Sequence, residues 1–194
     1  QGAEGVDQPR GGIGRGGGGS INRARRRRSI LTLDRLWSAW RLAYVTGARQ
    51  EGCVFCLAAD SPEPDPLIVF RGTRCFVILN LYPYNNGHLM VVPNRHVATL
   101  AALSPEELAE VGLLTQRCEI ALTEAYTPQG MNVGINLGKS AGAGVLDHIH
   151  VHVVPRWGGD TNFMTVVGEM RVLPEDLASS ARRLRPIFER LAAG

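Results

Sequence analysis

Three histidines that alternate with apolar residues constrain this chain more than any other feature of its sequence. The segment Asp147–Pro155 reads DHIHVHVVP, and the 194 residues contain only five histidines. Successive side chains of a β-strand point to opposite faces, so His148, His150 and His152 would share one face. Because unpaired buried imidazoles are costly, we predict that the aliphatic face packs on a core and that the histidine face lines a polar site. A solvated sheet face that happens to carry histidine is the alternative.

Apolar runs and turn residues divide most of the chain into short strands and a few helices. Strands are predicted at 67–70, 74–81, 88–92, 131–137 and 148–154, and a turn-rich loop at 82–87. These strands alternate with helices in the order helix, strands, helix, strands, helix. The pattern predicts an α+β fold with an antiparallel sheet, a long central helix and a C-terminal helix.

Each predicted helix has a recognisable start. Asp34 can cap a short helix over 34–43 that carries two tryptophans. Ser104-Pro-Glu-Glu is a capping box that begins the central helix, which extends to about Tyr126. The C-terminal helix begins at Pro174-Glu-Asp and ends near Leu191, with a kink or break at Pro186. The stripe expected to be buried on the central helix is Leu108, Val111, Thr115, Cys118 and Leu122.

The first 28 residues differ in composition from the rest. Nine of the first 20 residues are glycine and no hydrophobic period occurs there, so we predict a disordered tail over 1–28 and a folded domain over 29–194. Seven arginines against Glu4 and Asp7 give the tail a net charge of +5; because the whole chain carries +3, the domain carries −2. Arg23 and Arg25–Arg28 form a short basic run. It is a solvated tail or the result of a start site placed too far upstream; the alternative is a nucleic-acid or nuclear-localisation patch.

Size and composition predict a single cytoplasmic domain. Apolar residues make up 44% of the chain and charged residues 20%, which suits one globular core. The apolar runs are too short for a membrane span, and the N-terminus lacks the apolar stretch of a secretory signal. Four cysteines do not suggest a disulfide framework. The domain charge of −2 argues against nucleic acid as its partner.

Two further features could complete a site around the histidine strand. His88 follows the loop at 82–87, and His96 follows the next strand. The Gly-rich segment Asn136–Gly144 precedes the histidine strand, and its backbone N–H groups could approach an anion closely; it lacks the P-loop pattern. Imidazole is a good nucleophile toward phosphorus near pH 7. We therefore predict phosphoryl or nucleotidyl transfer through a covalent histidine intermediate.

The segment HIHVHVV resembles the signature of the histidine triad (HIT) family, HxHxHxx with apolar x. The resemblance covers roughly residues 33–192 and includes Asn80, the Gly87-His88 pair, Asn136 and the Gly-rich loop. The sequences LWSAWR at 36–41 and PRWGGDTNF at 155–163 are similar to the branch that contains diadenosine tetraphosphate phosphorylases and hydrolases. The resemblance implies a HIT-like fold and a homodimer.

The resemblance also implies a role for each matching residue. His150, the middle histidine, would attack the α-phosphorus of a nucleotide, while His152 and His88 would lie around the phosphate and the leaving group. Asn80 would contact the ribose. Phosphate oxygens would be held by Asn136 and by the backbone of Gly142, Ala143 and Gly144, where Gly144 replaces the polar side chain usual in the family.

A metal site is implied at the other end of the histidine strand. Cys53 and Cys56 form a CxxC pair that, with His96 and His148, resembles the tetrahedral zinc site of part of this family. Thiolate with imidazole favours zinc over magnesium or calcium. Four protein ligands would close the coordination shell, so the zinc would be structural. Two reduced cysteines in a turn, or a redox pair, are the alternatives.

These implications define the expected function. The chain is expected to cleave the α-phosphoanhydride of dinucleoside polyphosphates or related adenosine nucleotides through a nucleotidyl-histidine intermediate, as a diadenosine tetraphosphate phosphorylase or hydrolase. The alternative is a non-catalytic nucleotide-binding module whose basic tail docks on nucleic acid. A HIT enzyme acting on adenylylated nucleic acid is disfavoured by the domain charge of −2.

Overall fold

The structure, a computed structural model, describes residues 52–61, 65–161 and 173–193. The predicted disordered tail at 1–28, the domain boundary that follows it and the predicted helix at 34–43 all lie outside these residues. The fold and the site below are built from the described residues alone.

Within the described residues, five strands form one antiparallel sheet in the order β1-β2-β3-β5-β4. The last of the described strands, β5, lies between β3 and β4 and pairs antiparallel with both. The α+β fold with an antiparallel sheet is confirmed. The strand bounds are β1 Ile68–Arg71, β2 Cys75–Leu79, β3 Leu89–Pro93, β4 Gly130–Ile135 and β5 Val151–Arg156.

The described parts of the chain contain three α-helices: α1 Val54–Asp60, α2 Pro105–Tyr126 and α3 Leu177–Ala193. The two long ones are the predicted central and C-terminal helices. None of the helices in these parts combines the length and the apolar character needed to cross a bilayer.

The predicted capping box starts α2. Ser104 Oγ accepts a hydrogen bond from the Glu107 N–H at 3.2 Å, and the Glu107 carboxylate accepts one from the Ser104 N–H at 2.7 Å. Pro105 stands at the first helical position, where its missing N–H costs nothing. Arg95 also donates to the Glu107 carboxylate, at 2.6 and 3.0 Å. The start of the helix is thereby joined to the segment that follows β3.

One face of the sheet packs against α2 and α3. Each large apolar side chain buried there stabilises the fold by about 1.5–3 kcal/mol. Cys75 and Cys118 are fully buried, as expected for cysteines of the core. The buried cluster on this face includes Val77, Val91, Val153, Leu114, Leu122, Leu184 and Phe188.

The opposite face of the sheet packs against the short helix α1. Phe55 and Ala58 of α1 contact a second apolar cluster that contains Ile78, Met90 and Val92. Because side chains alternate along each strand and His152 pairs with Met90, this face is the one that carries the His152 ring of β5.

The predicted start of the histidine strand was wrong. β5 begins at Val151 and not at His148. The reason is a hydrogen bond outside the sheet: the Ile149 N–H donates to the Val97 carbonyl at 2.6 Å. This bond holds the segment before β5 against the segment that follows β3.

Two details of the helices differ from expectation. Of the kink or break predicted at Pro186, the break does not occur, because α3 runs through this residue. Proline inside a helix costs about 3 kcal/mol, but Leu184 and Phe188, on either side of it, are fully buried and stabilise both halves. Leu108, expected on the buried stripe of α2, is 52% exposed, and Leu114 is buried instead.

A pair of glycines provides a test of the packing. Gly87 has φ +73°, and a Cβ there would lie 2.9 Å from the Tyr126 ring and 3.0 Å from Leu122. We expect Gly87→Ala to destabilise the fold by about 2 kcal/mol in urea unfolding, because it adds both strain and overlap. Gly112 lies in α2 with open space around it, so Gly112→Ala should stabilise by about 0.5–1 kcal/mol. Equal effects of the two changes would contradict the packing at Gly87.

Candidate active site

The register of β5 determines where its histidine points. His152 pairs with Met90 on β3 and with Gly134 on β4, so its ring stands on the α1 side of the sheet. Gly134 leaves open space beside it. His88 immediately precedes β3, and its Nε2 lies 2.9 Å from His152 Nδ1.

The structure brings all five histidines into one row. Ring centroids are 5.1 Å apart for His96 and His148, 4.8 Å for His150 and His152, and 5.1 Å for His152 and His88. The Phe55 ring of α1 lies between the first pair and the rest, 5.4 Å from His148 and 4.9 Å from His150. The row therefore has one end at the two cysteines and a second end at a cavity.

A chain of hydrogen bonds sets the tautomers at the cavity end. The Tyr84 backbone N–H can only donate, and it lies 3.1 Å from His88 Nδ1. The hydrogen of neutral His88 is therefore on Nε2, which donates to His152 Nδ1. Neutral His152 must then carry its own hydrogen on Nε2. This series of hydrogen bonds makes His152 Nε2 an N–H donor.

The middle histidine has the opposite tautomer. His150 Nδ1 lies 2.9 Å from the carbonyl oxygen of His148 and donates to it. Its Nε2 therefore carries a lone pair, which is what a nucleophile toward phosphorus requires. Burial lowers the pKa of His150, with the hydrogen bond to His148 acting in the opposite sense. The ring is thus kept neutral and nucleophilic.

Burial also keeps His152 neutral. It lowers the pKa of His152 to about 4, with a further contribution from the neighbouring His150. A neutral imidazole keeps one N–H, so His152 can donate a hydrogen bond from Nε2 to an oxygen in the cavity.

His150 and His152 line a cavity of about 270 Å³, close to the lower end of the usual range for ligand pockets. Its polar lining also includes Asn80, Asn136 and Asp65. The apolar lining comes from α1 and from the face of the sheet: Val54, Phe55, Ala58, Ile78 and Met90. An aromatic base with a ribose and one phosphate has this combination of surfaces.

The Gly-rich loop contributes unequally to the cavity. Gly142 and Gly144 line it. The Gly142 N–H donates to the Lys139 carbonyl at 3.0 Å, and the Ala143 N–H donates to the Gly138 carbonyl at 3.3 Å. Two of the three amides expected to hold phosphate are therefore used within the loop itself.

The four residues of the expected metal site lie together. The ligand atoms of Cys53, Cys56, His96 and His148 are all within 4.8 Å of one another. Cys53 is the N-cap of α1 and Cys56 lies in its first turn, and residues three apart share a helix face. Burial raises the pKa of the Cys56 thiol, and the neighbouring Cys53 raises it further. A bound cation would therefore be needed to hold Cys56 as a thiolate.

The donor set and its distances fit a tetrahedral metal ion. Bond lengths of about 2.3 Å to sulfur and 2.0 Å to nitrogen place a sulfur and a nitrogen ligand of a tetrahedral ion about 3.5 Å apart. The observed sulfur–nitrogen distances are 3.3 Å for Cys53 and His148, 3.3 Å for Cys56 and His96, and 3.6 Å for Cys56 and His148. His148 Nε2 donates to the Pro93 carbonyl at 2.9 Å, which leaves Nδ1 free to ligate and orients the ring.

Sequence reasoning missed three contributors to this site. The Tyr84 amide has no side-chain signal, because any residue at that position could supply it. Phe55 lies inside the CxxC pair, where an apolar side chain carries no signal of contact with the histidines. Asp65 lines the cavity from the segment before β1, which no motif includes.

Comparison with known proteins gives a family match. A model of the HIT domain family matches residues 61–159. The chain is also similar to an AP-4-A phosphorylase of Mycobacterium tuberculosis, 42% identical over 161 residues, which cover 78% of this chain and 83% of that protein. A bis(5′-adenosyl)-triphosphatase of Dictyostelium discoideum is 31% identical over 128 residues, covering 63% and 85% of the two chains.

A solved structure agrees with this match. The crystal structure of a Zn-bound histidine triad family protein from Mycobacterium smegmatis superposes with a TM-score of 0.60 at 32% identity. The match covers 73% of this chain and 96% of that one.

The histidine tautomers can be tested by nuclear magnetic resonance. We expect nitrogen-15 spectra to show His150 with its hydrogen on Nδ1 and His152 with its hydrogen on Nε2. Because the folded pKa of His152 is about 4 and its ordinary value is 6.5, the unfolded chain binds this proton first as the pH falls. The stability that neutral His152 provides should decline between pH 6.5 and 4. Protonation of His152 near pH 6.5 in the folded protein would contradict this arrangement.

Proposed function

The chain belongs to the histidine triad family, and from this membership we propose that it is an enzyme that transfers the nucleotidyl group of a dinucleoside polyphosphate, or of a related adenosine nucleotide, through a nucleotidyl-histidine intermediate. The observation that carries the proposal is His150, a neutral imidazole that lines a nucleotide-sized cavity and has its lone pair on Nε2. Two relatives, named as an AP-4-A phosphorylase and a bis(5′-adenosyl)-triphosphatase, support the substrate class.

In the first step, His150 Nε2 attacks the α-phosphorus. The bond from phosphorus to the bridging oxygen breaks, the electron pair leaves with that oxygen, and the nucleotidyl group stays on Nε2. His152 Nε2–H can donate to the departing oxygen, because His88 occupies its Nδ1. Stabilising the charge that develops on this oxygen lowers the barrier.

In the second step, an oxygen of inorganic phosphate or water attacks the same phosphorus. The phosphorus–nitrogen bond breaks and its electron pair returns to His150 Nε2, while the acceptor releases its proton to solvent. From diadenosine tetraphosphate, phosphate as the acceptor gives ADP and ATP, and water gives AMP and ATP.

We assign the remaining polar lining to substrate binding. Asn136 and the Gly144 backbone contact phosphate oxygens, since the amides of Gly142 and Ala143 donate within the loop. Asn80 contacts the ribose; its Oδ1 accepts from the Tyr82 N–H at 2.9 Å, which fixes the orientation of its side-chain amide.

We also propose that the ion held by the four-residue cluster is zinc and that its role is structural. Cys53, Cys56, His96 and His148 would close its coordination shell, so it would supply a cross-link and no catalytic water. The ligand His148 also supplies the carbonyl that orients His150.

The protein is proposed to be a cytoplasmic homodimer. Its four cysteines are free, as is usual in a reducing compartment. Among the described strands, β4 lies at the open edge of the sheet, and its Val133 is 55% exposed. Such an edge is a surface on which a second copy can pair.

Removal of the nucleophile tests the proposed reaction. We expect His150→Ala to lower the turnover of diadenosine tetraphosphate by at least about a thousandfold, with an unchanged circular dichroism spectrum. Gln116→Ala, on the exposed side of α2, serves as the control and should retain full activity. Wild-type protein should form an acid-labile nucleotidyl adduct that the variant lacks.

Substantial turnover by His150→Ala would reject the nucleophile. Tight binding of AMP by wild-type protein without any turnover would instead support the non-catalytic module.

Zinc content tests the metal proposal. We expect one zinc per chain by elemental analysis, and expect Cys56→Ser to lose it with a fall in Tm of about 10 °C. Cys118→Ala, a change at a buried cysteine far along α2, should also destabilise but should keep one zinc. Equal zinc content in the two variants would show that the cluster does not hold the metal.

A further inference from the structure

A second cavity adjoins the first at His152. Its volume is about 370 Å³. The two cavities share Tyr84, Asn136 and His152 in their linings. The rest of the second lining comes mainly from the edge strand β4, through Asn132, and from the end of β5, through Arg156. A substrate with two nucleosides needs two adjacent binding regions, and these cavities meet at a histidine of the triad.

The two cavities differ in charge. The first has apolar walls and one acidic residue, Asp65, with no lysine or arginine in its described lining. The second has a cation in its lining, Arg156, whose ion-pair partner Asp160 is not among the lining residues. Asn132 and Thr161 add polar groups. A base and ribose suit the first cavity, whereas a chain of phosphates suits the second.

Arg156 is held in a fixed position. Its Nε and Nη2 donate to the Asp160 carboxylate at 2.6 and 2.9 Å, and its Nη1 donates to Asn132 Oδ1 at 2.6 Å. A guanidinium has five N–H groups, and these contacts among the described residues use three. The guanidinium also holds the pKa of the Asp160 carboxyl well below its usual range, so the pair stays ionised. Arg156 is thus a pre-oriented donor with two N–H groups to offer.

The reaction geometry directs the leaving group toward this cavity. Displacement at phosphorus is in line, so the leaving oxygen departs on the side opposite His150. The His152 ring, 4.8 Å from that of His150, is the proposed donor to this oxygen and lines both cavities. A group that leaves past His152 therefore enters the second cavity, and the acceptor approaches the phosphorus from the same side.

We infer that the second cavity binds the leaving half of a dinucleoside polyphosphate, with its phosphates on Arg156 and Asn132. The acceptor that completes the reaction enters through the same cavity. The inference rests on the proposed function, which places the reacting phosphorus at His150.

Two nucleotidyl donors with different leaving groups distinguish the contribution of the second cavity from that of the first. Diadenosine tetraphosphate has a long anionic leaving group, and adenosine 5′-phosphorimidazolide has a small uncharged one. In a double displacement, kcat/KM for the donor reports only the first half-reaction. We expect Arg156→Met to lower kcat/KM for diadenosine tetraphosphate about tenfold and to change that for the imidazolide less than twofold. Arg156→Lys should restore part of the loss.

A binding experiment repeats the comparison without turnover. In the His150→Ala background, Arg156→Met should weaken diadenosine tetraphosphate about tenfold in calorimetry and leave AMP unchanged. Asn132→Ala should weaken diadenosine tetraphosphate by a smaller factor and should also leave AMP unchanged. It is used in place of Arg156→Met if that variant does not fold. Arg183→Met is the matched control, since Arg183 forms a similar exposed ion pair with Glu175 far from either cavity.

Each outcome supports or overturns the subsite. An equal loss with both donors, or no loss with either, overturns it. If wild-type protein cleaves neither donor, the proposed function fails, and the binding comparison alone decides whether the second cavity holds the far half of the dinucleotide.

Discussion

The pairing of β5 with a strand on each side is the constraint on which the site depends. Its register sets His152 between β3 and β4, and its other face buries Val151 and Val153 in the core beneath α2 and α3. A slip of one residue would exchange imidazole for valine on both faces. The packing that stabilises the fold is therefore also what holds the His152 ring in place, and no separate loop has to order it.

Local patterns predicted most of the fold correctly. Period-two alternation, turn residues and the capping box located the strands and the start of α2 to within a few residues. The errors arose where a tertiary contact overrode a local rule. Ile149 bonds to Val97 rather than to a strand, and packing of Leu184 and Phe188 carries α3 through Pro186. Neither contact has a signal in the neighbouring sequence.

For the site, residue type and spacing were informative only where a side chain, and not a backbone group, makes the contact. The structure brings together the histidines and the two cysteines that the patterns and the family resemblance singled out. Backbone groups could not be found in this way: the Tyr84 amide that sets the His88 tautomer is common to any residue. The Gly-rich loop is a second example. Its composition does not reveal which backbone N–H groups donate to carbonyls of the loop itself.

His148 serves two centres through different atoms. Its Nδ1 faces the cysteines and its carbonyl oxygen accepts from His150, so one residue belongs to the four-residue cluster and also orients the His150 ring. A variant without the two cysteines would still hold the His148 ring on the Pro93 carbonyl and would keep the bond from His150 to the His148 backbone. Because that second bond uses the main chain, it does not need an imidazole at position 148. The cysteine end of the row can therefore change while the orientation of the His150 ring is preserved.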